Sequence, residues 1–447
     1  MSDLLSIGAS GVHAYQTALS AIAENVANAS TTGYTRRQVS LDQTMTSGGA
    51  LSTGVNFGGV TVAGVTRAWN DYQAAASRTA MGDAGRTDAR LTWLSNGETA
   101  LSDDATGVGQ SATAFFTAGN SLAADPGSSS NRQALLSTLD QTASSFRTTA
   151  SALKTTSQGI ANQAQTVVQS VNADLDSLNN VNAALRATQP NTSAQADLED
   201  QRDRLLDNIS GNIGINVTIA TDGSATVKLA QGDTQLVGGT GNSVNSARLT
   251  LGVASDGRLG VQAIVNGASV AVGNAGGALG GLAESAGVVS DRRNSLDSMA
   301  ADFATAVNAW QAAGTTSAGT AGQPLLTGTD ATSITLATTD PTAIAAASGG
   351  SANGNLLTLT NLRGTSGVEA RWSGMVTAQG QLVSSATSEN TSASAQATAT
   401  LSTRDQASGV DLDTEAASLL RYQQAYSGAA KVIQVAKDTL QSILDIF

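Results

Sequence analysis

The stretch LDTEAASLLRYQQAYSGAAKVIQVAKDTLQSILDIF, residues 412–447, contains the pattern that decides the fold. Its mostly apolar key positions recur at alternating steps of four and three, which is the heptad seam of a helix that packs along another helix. Two seam positions, Gln423 and Lys437, are polar and are predicted to fix the register of this packing. The predicted seam consists of Leu412, Ala416, Leu419, Gln423, Tyr426, Ala430, Ile433, Lys437, Leu440, Leu444 and Phe447.

The N-terminus repeats the pattern, again with steps of three and four. An isolated helix draws most of its stability from packing, so the two end helices are predicted to pair with each other, with copies in other subunits, or with both. Periodicity leaves a coiled coil that closes the monomer and helix packing between subunits of a filament equally open. The N-terminal seam consists of Leu5, Gly8, Val12, Tyr15, Leu19, Ile22 and Val26.

A polar break follows the N-terminal helix. In ENVANASTTGYTRRQ, residues 24–38, the apolar pattern stops at Val26, and small polar residues lead into a glycine. Residues of this kind end helices and favour bends. The break therefore predicts a linker between domains or between subunits, formed by Asn28, Gly33, Tyr34, Arg36 and Arg37.

The interior of the chain alternates between helical and strand-like patterns. Residues 34–68 favour irregular strands, whereas residues 211–276 contain strand pairs joined at Asp-Gly turns, which predicts an inserted small β-domain. A helix break is predicted at Gln189-Pro190. The other helices are predicted over residues 87–124, 131–210, 277–312 and 371–407.

These segments together predict a mainly α fold with an inserted small β-domain, in an elongated, nested multi-domain arrangement with paired N- and C-terminal coiled-coil helices. Because the chain leaves the terminal helices and later returns to them, the β-domain is expected at the end farthest from the termini. The predicted domains are a terminal coiled coil of residues 1–33 and 410–447, a mainly helical domain of residues 34–210 and 277–409, and a β-domain of residues 211–276.

Composition excludes several classes of protein. The formal net charge of −12 argues against a nucleic-acid partner, because phosphate binding needs clustered lysine and arginine. The chain has no cysteine, which excludes disulfides, thiolate metal sites and a cysteine nucleophile. It has neither an apolar run of membrane-spanning length nor the start of a secretory signal peptide, so we expect no membrane insertion and, if the protein leaves the cell, a route that removes no such signal.

The sequence gives little indication of chemistry. His13, the only histidine, is expected to be an ordinary helix residue, because catalytic and metal sites need convergent partners. Four acids and two arginines in LEDQRDRLLD, residues 198–207, have the spacing of a solvated, salt-bridged helix face rather than of catalytic carboxylates. The glycine-rich residues 273–282 lack the spacing of a phosphate loop and are interpreted as a hinge. Asp411 or Asp413 is expected to supply negative charge at a helix N-terminus. We therefore expect no enzyme, no cofactor and no metal.

Both ends of the chain resemble a known family. ASGVHAYQTALSAIAENVANASTTGYTRRQ, residues 9–38, resembles the N-terminal signature of the bacterial flagellar axial proteins, the rod, hook and hook-associated group. SGVDLDTEAASLLRYQQAYSGAAKVIQVAKDTLQSIL, residues 408–444, resembles the C-terminal helix of the same family. Internal blocks agree, including DLEDQRDRLLDNIS at residues 197–210 and GGALGGLAESAGVVSDRRNSLDSMAADFATAVNAW at residues 276–310, so the resemblance covers nearly the whole chain.

The resemblance implies a flagellin- and hook-like architecture and a structural function. The terminal helices would pack into an inner tube around an export channel, the helical middle would form an outer tube, and the β-domain would project outward. The chain would be exported by the flagellar type III apparatus and form a ring at the junction between hook and filament. The alternatives are the hook protein itself, or a secreted adhesin or effector that uses the same export route.

The resemblance also implies partners and a location. The partners are copies of the chain in a ring, the hook protein, the second hook–filament junction protein, and a cytoplasmic chaperone that binds the C-terminal helix before export. The location is the extracellular flagellum after a transient stay in the cytoplasm. In such an assembly the linker would cross between layers, and Arg36 and Arg37 are hypothesised to pair with acids on a neighbouring subunit.

Overall fold

A computed structural model describes residues 2–43, 58–238 and 247–445 of the chain. Helices dominate it, and its sheets are small and antiparallel. The helices are α1 (Ser2–Asn28), α2 (Asp71–Ala100), α3 (Val108–Ala124), α4 (Ser129–Ala187), α5 (Ser193–Asn212), α6 (Gly277–Ala312), α7 (Gly354–Thr358), α8 (Val368–Ser408) and α9 (Leu412–Leu444). The strands are β1 (Arg37–Gln43), β2 (Val60–Arg67), β3 (Ile215–Ile219), β4 (Ala225–Leu229), β5 (Gln235–Val237), β6 (Arg248–Val253), β7 (Leu259–Val265), β8 (Ala268–Val272), β9 (Leu326–Thr327) and β10 (Thr335–Leu336). Short 3-10 turns lie at Pro341–Ala343 and Leu359–Leu362.

The two end helices, α1 and α9, pack side by side as an antiparallel pair, called here the terminal pair. Gly8 near the start of α1 lies against Ile433 in the second half of α9. At the other end, the side chain of Asn25 donates a hydrogen bond of 3.1 Å to Glu415 in the first turn of α9. The predicted mainly α fold with paired terminal helices is thereby confirmed.

Local chemistry sets several of the helix ends. The carboxylate of Asp411 accepts the backbone N–H groups of Asp413 and Thr414, which confirms the negative charge predicted at the start of α9. The predicted break at Gln189-Pro190 lies between α4 and α5, because proline lacks an N–H and clashes with a preceding helical turn. The helix predicted over residues 277–312 is α6.

Large apolar side chains form the core of the helical body, which comprises α2 to α6 and α8. A first cluster includes Phe115, Phe146, Phe303 and Trp372, with the ring centroids of Phe146 and Phe303 6.1 Å apart. It joins α3, the first half of α4, the second half of α6 and the start of α8. A second cluster joins the second half of α4 to α5, the first half of α6 and strands β4 to β7.

The hairpin of β1 and β2 packs on α1 of the terminal pair. Its register places Arg37 opposite Arg67, with an irregularity between Ser40 and Leu41. The backbone N–H of Val60 donates to the hydroxyl of Ser10 on α1 at 3.2 Å. The hairpin thus follows directly from the linker and brings two arginines to the same edge.

Strands β3 to β8 form two three-stranded sheets that lie on α4. Asn172 exchanges two hydrogen bonds with the backbone of Leu249, and Asn182 does the same with Ala225. Side chains of both sheets share the second cluster with four helices, so the strands and helices are packed around one core. The domain boundaries themselves stay a prediction.

The β-insert is not at the end farthest from the termini, and that expectation was wrong. The turn between β3 and β4 accepts a hydrogen bond at the carbonyl of Gly223 from Arg202, beside the arginines of the β1–β2 hairpin. The opposite ends of α2 and α8 lie in the first cluster. The end remote from the terminal pair is therefore formed by α3 and residues 313–367. The long helices of the body extend beyond the β-insert, so this end lies farther from the terminal pair than the β-insert does.

The glycines of residues 273–282 serve packing rather than a hinge. Gly276 and Gly277 have φ values of +62° and +53°, which favour glycine at the turn into α6. A Cβ atom on Gly281 would collide with the backbone carbonyl of Arg86 on α2. Small residues here let two helix backbones approach closely.

Candidate functional site

The contact between α1 and α9 is made by small residues. On α1 the buried positions recur at steps of three and four, and a Cβ atom added at Gly8 would lie 2.6 Å from a side-chain carbon of Ile433. At Gly11 it would lie 3.2 Å from the Cβ of Ala429. The helices therefore approach closely with little side-chain volume between them. The buried α1 positions are Gly8, Gly11, Ala14, Ala18, Ala21, Ile22 and Asn25.

Most of the predicted seam residues lie beside this contact rather than at its centre, although Gly8 and Ile433 touch each other within it. The buried face is displaced by about one residue position, which is roughly 100° around a helix. Of the predicted residues, Gly8 and Ile22 are buried, and Val12, Tyr15, Leu19, Leu419 and Ile433 are half-buried. Leu5, Val26, Leu412, Gln423, Tyr426, Leu440 and Leu444 are exposed. Phe447 lies outside the described residues, and the exposed Lys437 and Gln423 are not in the buried contact.

The terminal pair exposes most of the large apolar surface. In the described part of the chain, eleven of the fifteen exposed large apolar side chains lie on α1 or α9, which identifies these two helices as the incompletely covered part of the molecule. Leu420 and Val435 are 60% and 61% exposed. The eleven residues, here called the outer apolar set, are Leu4, Leu5, Val26, Leu412, Leu420, Tyr426, Val432, Val435, Leu440, Ile443 and Leu444.

A single buried amide joins α1, the linker and α9. The side-chain oxygen of Asn25 accepts the N–H of Arg37 at 2.7 Å and the hydroxyl of Tyr34 at 2.9 Å. Its side-chain nitrogen donates to the carbonyl of Arg37 at 3.0 Å and to Glu415 at 3.1 Å. Asn25 is 1% exposed, so this amide satisfies its hydrogen bonds entirely within the fold. Buried polar residues do mark the contact, but they are Asn25 and Glu415.

The predicted linker forms a compact turn. The carbonyl of Asn28 accepts the N–H of Thr31 at 2.9 Å, just after α1 ends. Gly33 has a φ of +74°, and a Cβ atom there would lie 2.7 Å from the side chain of Arg204. Glycine is thus required both by the backbone conformation and by the neighbouring helix α5. The structure places Asn28, Gly33, Tyr34, Arg36 and Arg37 together between the terminal pair and the body.

Three aspartates on one face of α5 receive the chain as it leaves the linker. Asp200, Asp203 and Asp207 have i, i+3 and i+7 spacing, and each bridges two arginines from outside α5 through its two separate carboxylate oxygens. Asp200 and Asp203 are 3% and 5% exposed. The interpretation of residues 198–207 as a solvated face was therefore wrong, because arginines from four other elements cover it.

The ion pairs follow one another without a gap. Nitrogen–oxygen distances from Arg37 and Arg67 to Asp200 are both 2.8 Å. Arg67 also reaches Asp203 at 2.8 Å. From there Arg78 bridges Asp203 at 2.8 Å to Asp207 at 3.0 Å. The last link, between Asp207 and Arg404 of α8, is 2.6 Å. In order, this ion-pair chain is Arg37, Asp200, Arg67, Asp203, Arg78, Asp207 and Arg404.

The electrostatics of the ion-pair chain favour fully charged groups. Burial acts to raise the pKa of Asp203, but the guanidinium groups of Arg202, Arg67 and Arg78 outweigh it and hold the pKa below its ordinary value. Burial acts to lower the pKa of Arg67, and the surrounding carboxylates reverse that effect and raise it. Sequence reasoning missed Arg67, Arg78 and Arg404, whose only signal was the spacing of the aspartates that they meet.

The two linker arginines have different surroundings. The side chain of Arg37 is 1% exposed and pairs with Asp197 and Asp200 of the same chain, so its hypothesised pairing with a neighbouring subunit was wrong for this residue. Arg36 is half-buried and uses its backbone, which donates to Ser408 at 2.8 Å. Its guanidinium has no side-chain partner among the described residues.

The described residues do not form a metal-binding group at this site. His13 is exposed on α1. Within the described ranges, no group of three or more histidine, cysteine, aspartate or glutamate side chains is arranged to hold a metal ion. In the same ranges, no helix combines the length and apolar character needed to cross a membrane. The chemistry of the site is that of helix packing and buried ion pairs.

Comparison with known families agrees with this geometry. A family model described as the flagellar hook-associated protein FlgK helical domain matches residues 94–326, slightly more than half of the chain. The chain belongs to this FlgK family. Two further models, the flagellar basal body rod FlgEFG protein C-terminal and the flagella basal body rod protein, match residues 402–446 and 5–35. The resemblance of both ends to flagellar axial proteins is thereby confirmed.

Individual FlgK relatives give the same result at low identity. Flagellar hook-associated protein 1 of Bacillus subtilis is 25% identical over 97% of this chain and 96% of the relative. The protein of the same name from Salmonella typhimurium is 26% identical over 54% of this chain, and the match spans only 43% of that relative's length. The flagellar hook junction protein FlgK from Burkholderia pseudomallei has a TM-score of 0.55 at 19% identity, covering 61% of this chain and 66% of that one, which shows a shared fold.

Proposed function

We propose that the chain is a structural component of the bacterial flagellum that forms a ring at the junction between hook and filament. The observation that carries the proposal is the outer apolar set, which lies on the two helices whose sequences match flagellar rod families. Copies of the chain packed side by side would cover these side chains. The second junction protein and the filament would then build on this ring.

The free energy gained by burying the outer apolar set supports assembly through the terminal pair. Burying one exposed leucine or valine side chain contributes about 1.5–3 kcal/mol, so a few such contacts per neighbour suffice for a specific interface. Before assembly the same apolar surface needs cover. We propose that a cytoplasmic export chaperone binds α9 there and that the flagellar type III apparatus exports the chain.

The decisive experiment is electron microscopy of a strain that lacks the gene, with its culture medium assayed for flagellin. Hooks without filaments, together with free flagellin in the medium, are the expected result for a junction protein. Missing hooks would indicate the hook protein instead. Intact filaments would refute the proposal and favour a secreted adhesin or effector.

The outer apolar set can be tested by complementing that strain with the double variant Leu420→Glu and Val435→Glu. We expect a chain that folds normally but no longer supports filament growth, because two charges replace apolar contacts between copies. The matched control is Leu357→Glu, a 62% exposed leucine at the end remote from the terminal pair. Normal filaments in the double variant would show that these side chains do not lie in an interface.

The linker arginines offer a second test of assembly. We propose that Arg36, whose guanidinium is unpaired among the described residues, binds an acid of a neighbouring copy. Arg36→Glu is expected to preserve the thermal stability of the monomer and to impair filament growth in the complemented strain. If Arg36→Glu supports normal growth, the intersubunit pairing is refuted, whereas Arg37→Glu should lower monomer stability in any case because it breaks buried ion pairs.

A further inference from the structure

The polypeptide passes between the terminal pair and the body at two places. The N-terminal crossing runs from the end of α1 through the linker to Arg37, and the C-terminal crossing runs from Arg404 through Ser408 to the start of α9. The two crossings touch, since the N–H of Arg36 donates to the carbonyl of Ser408 at 2.8 Å. They are also joined through the body, because the ion-pair chain begins at Arg37 and ends at Arg404.

We propose that the ion-pair chain is an interlock, meaning that it couples the two crossings so that both open together. The terminal pair then binds to the body or dissociates from it as one unit. The inference concerns the free chain and goes beyond the junction role, on which it does not depend.

Arg37 connects the terminal pair with the body. Its backbone N–H and carbonyl are both held by the amide of Asn25, which also binds Glu415 of α9. Its guanidinium is held by Asp200 of α5 at 2.8 Å. A displacement of the terminal pair therefore pulls on the first member of the ion-pair chain.

The bridging aspartates transmit such a displacement. In Asp203 one carboxylate oxygen binds Arg67 and the other binds Arg78, and Asp200 and Asp207 divide their oxygens in the same way. Loss of one arginine removes a positive charge from beside a buried carboxylate, and the cost of a buried charge that is no longer fully compensated is high. The aspartate lowers that cost by turning toward its other arginine, which alters the next link.

The distribution of charges over the elements favours coupling over simple stabilisation. Buried ion pairs add little net stability compared with apolar residues of similar volume. Here all three bridging acids lie on α5, while the arginines come from β1, β2, α2 and α8. Apart from Arg202 of α5 itself, the arginines that neutralise this acidic face thus come from elements before α5 in the chain, β1, β2 and α2, and from α8 after it.

The test is hydrogen exchange, measured by mass spectrometry, on the full chain carrying Asp203→Asn. Asp203 lies in the middle of the ion-pair chain, and its ion-pair partners Arg67, Arg78 and Arg202 lie outside both crossings. We expect exchange to rise at least about tenfold at both crossings, residues 29–36 and 408–414, while amides around Phe146 in the first cluster change by less than about twofold. Faster exchange at neither crossing, or at only one of them, would overturn the proposal.

Two further variants keep the result decisive. If Asp203→Asn fails to fold, Arg78→Lys retains the charge but loses the planar fork that bridges two aspartates, and it should give the same paired increase at a smaller size. Exchange at both crossings that remains as in the unaltered chain would then refute the interlock. The matched control is Arg371→Met, which removes the exposed pair with Asp302 and should leave both crossings unchanged.

Discussion

The terminal pair and the helical body use side-chain size in opposite ways. In the body the large side chains are inside, with Phe146 and Leu153 fully buried. In the terminal pair the buried positions hold residues such as Ala14 and Ala18, at 1% exposure, while Leu420 is 60% exposed. The body therefore buries its large apolar side chains within the monomer, whereas the terminal pair leaves many of its own exposed on the surface.

The difference has an energetic consequence. Glycine and alanine permit close helix approach but remove little apolar area from water, and stabilisation follows that area at about 25 cal/mol per Å². The terminal pair thus depends on its polar contacts at Asn25 and Arg37 to fix its position. The body buries far more apolar area, because both of its apolar clusters contain whole leucine side chains and the first also contains phenylalanines.

The largest effect is expected for Phe146→Ala in the body. Phe146 is fully buried against Phe303, and removal of a buried aromatic ring costs about 3–5 kcal/mol through lost burial and the cavity left behind. Leu420→Ala in the terminal pair should change the free energy of unfolding by less than about 0.5 kcal/mol, because the side chain is already exposed. Urea unfolding of the two monomeric variants measures the contrast. Similar losses in both would show that the terminal pair is packed as tightly as the body.

The next largest effect is expected for Asn25→Ala. The substitution leaves the N–H of Arg37 and the carboxylate of Glu415 without their buried partner, at a cost of about 3 kcal/mol. Gln423→Ala serves as the control, since Gln423 is a polar residue of the same pair that lies exposed. Hydrogen exchange in α1 and α9 should rise strongly in the first variant and stay constant in the second. Equal hydrogen exchange in the two variants would show that Asn25 does not stabilise the contact between α1 and α9.

The sequence predicted some helices well, but it missed the break between α2 and α3 inside the helix predicted over residues 87–124, and it missed the faces that the terminal helices bury. Helix α6 was predicted from its apolar pattern over residues 277–312, and the α4–α5 break from Pro190. The seam prediction was displaced by one position because periodicity counts leucine, valine and tyrosine as buried. In the terminal pair, alanine and glycine are buried instead, and residues such as Val26 lie at the margin.

The ion-pair chain shows a second limit of sequence reasoning. The spacing of Asp200, Asp203 and Asp207 on one helix face was visible, but helical spacing alone favours pairs within the same helix. Their partners Arg67 and Arg404 are distant in sequence and reach α5 only through tertiary packing. No local pattern distinguishes a solvated acidic face from one that four other elements cover.

A smaller effect is expected for Gly8→Val, which introduces volume into the contact between α1 and α9. A Cβ atom at Gly8 would lie 2.6 Å from Ile433, so the helices must separate, at a cost of about 2 kcal/mol. The control is Gly428→Ala on α9, where a Cβ atom has no neighbour within 4 Å and helix propensity favours alanine by up to about 1 kcal/mol. Hydrogen exchange should therefore increase in α1 for the first variant and decrease slightly in α9 for the second. Unchanged hydrogen exchange in α1 of Gly8→Val would show that the contact between α1 and α9 accommodates the larger side chain without separation of the helices.

The smallest effect is expected for Tyr34→Phe, which tests the linker. Burial raises the pKa of Tyr34 from its ordinary value of 10.0 to about 12, although the nearby Arg37 acts to lower it. The hydroxyl donates to Asn25, and its loss should cost about 1 kcal/mol at pH 8, while the ring keeps its contact with the guanidinium of Arg37 at 4.8 Å. The control is Tyr72→Phe, because Tyr72 is 82% exposed and should contribute almost nothing.

The dependence of this effect on pH has a definite sign. A raised pKa in the folded state means that the phenol of Tyr34 stabilises the fold below pH 10 and loses that contribution as the pH rises from 10 to about 12. The unfolding free energy of the unaltered chain minus that of Tyr34→Phe should therefore fall across this window, as measured by urea unfolding at successive pH values. Other groups that titrate in the same range are present in both chains and cancel in the difference. A difference that stays constant from pH 8 to pH 12 would mean that Tyr34 is as open to water as Tyr72, and that the linker is not held between the terminal pair and the body.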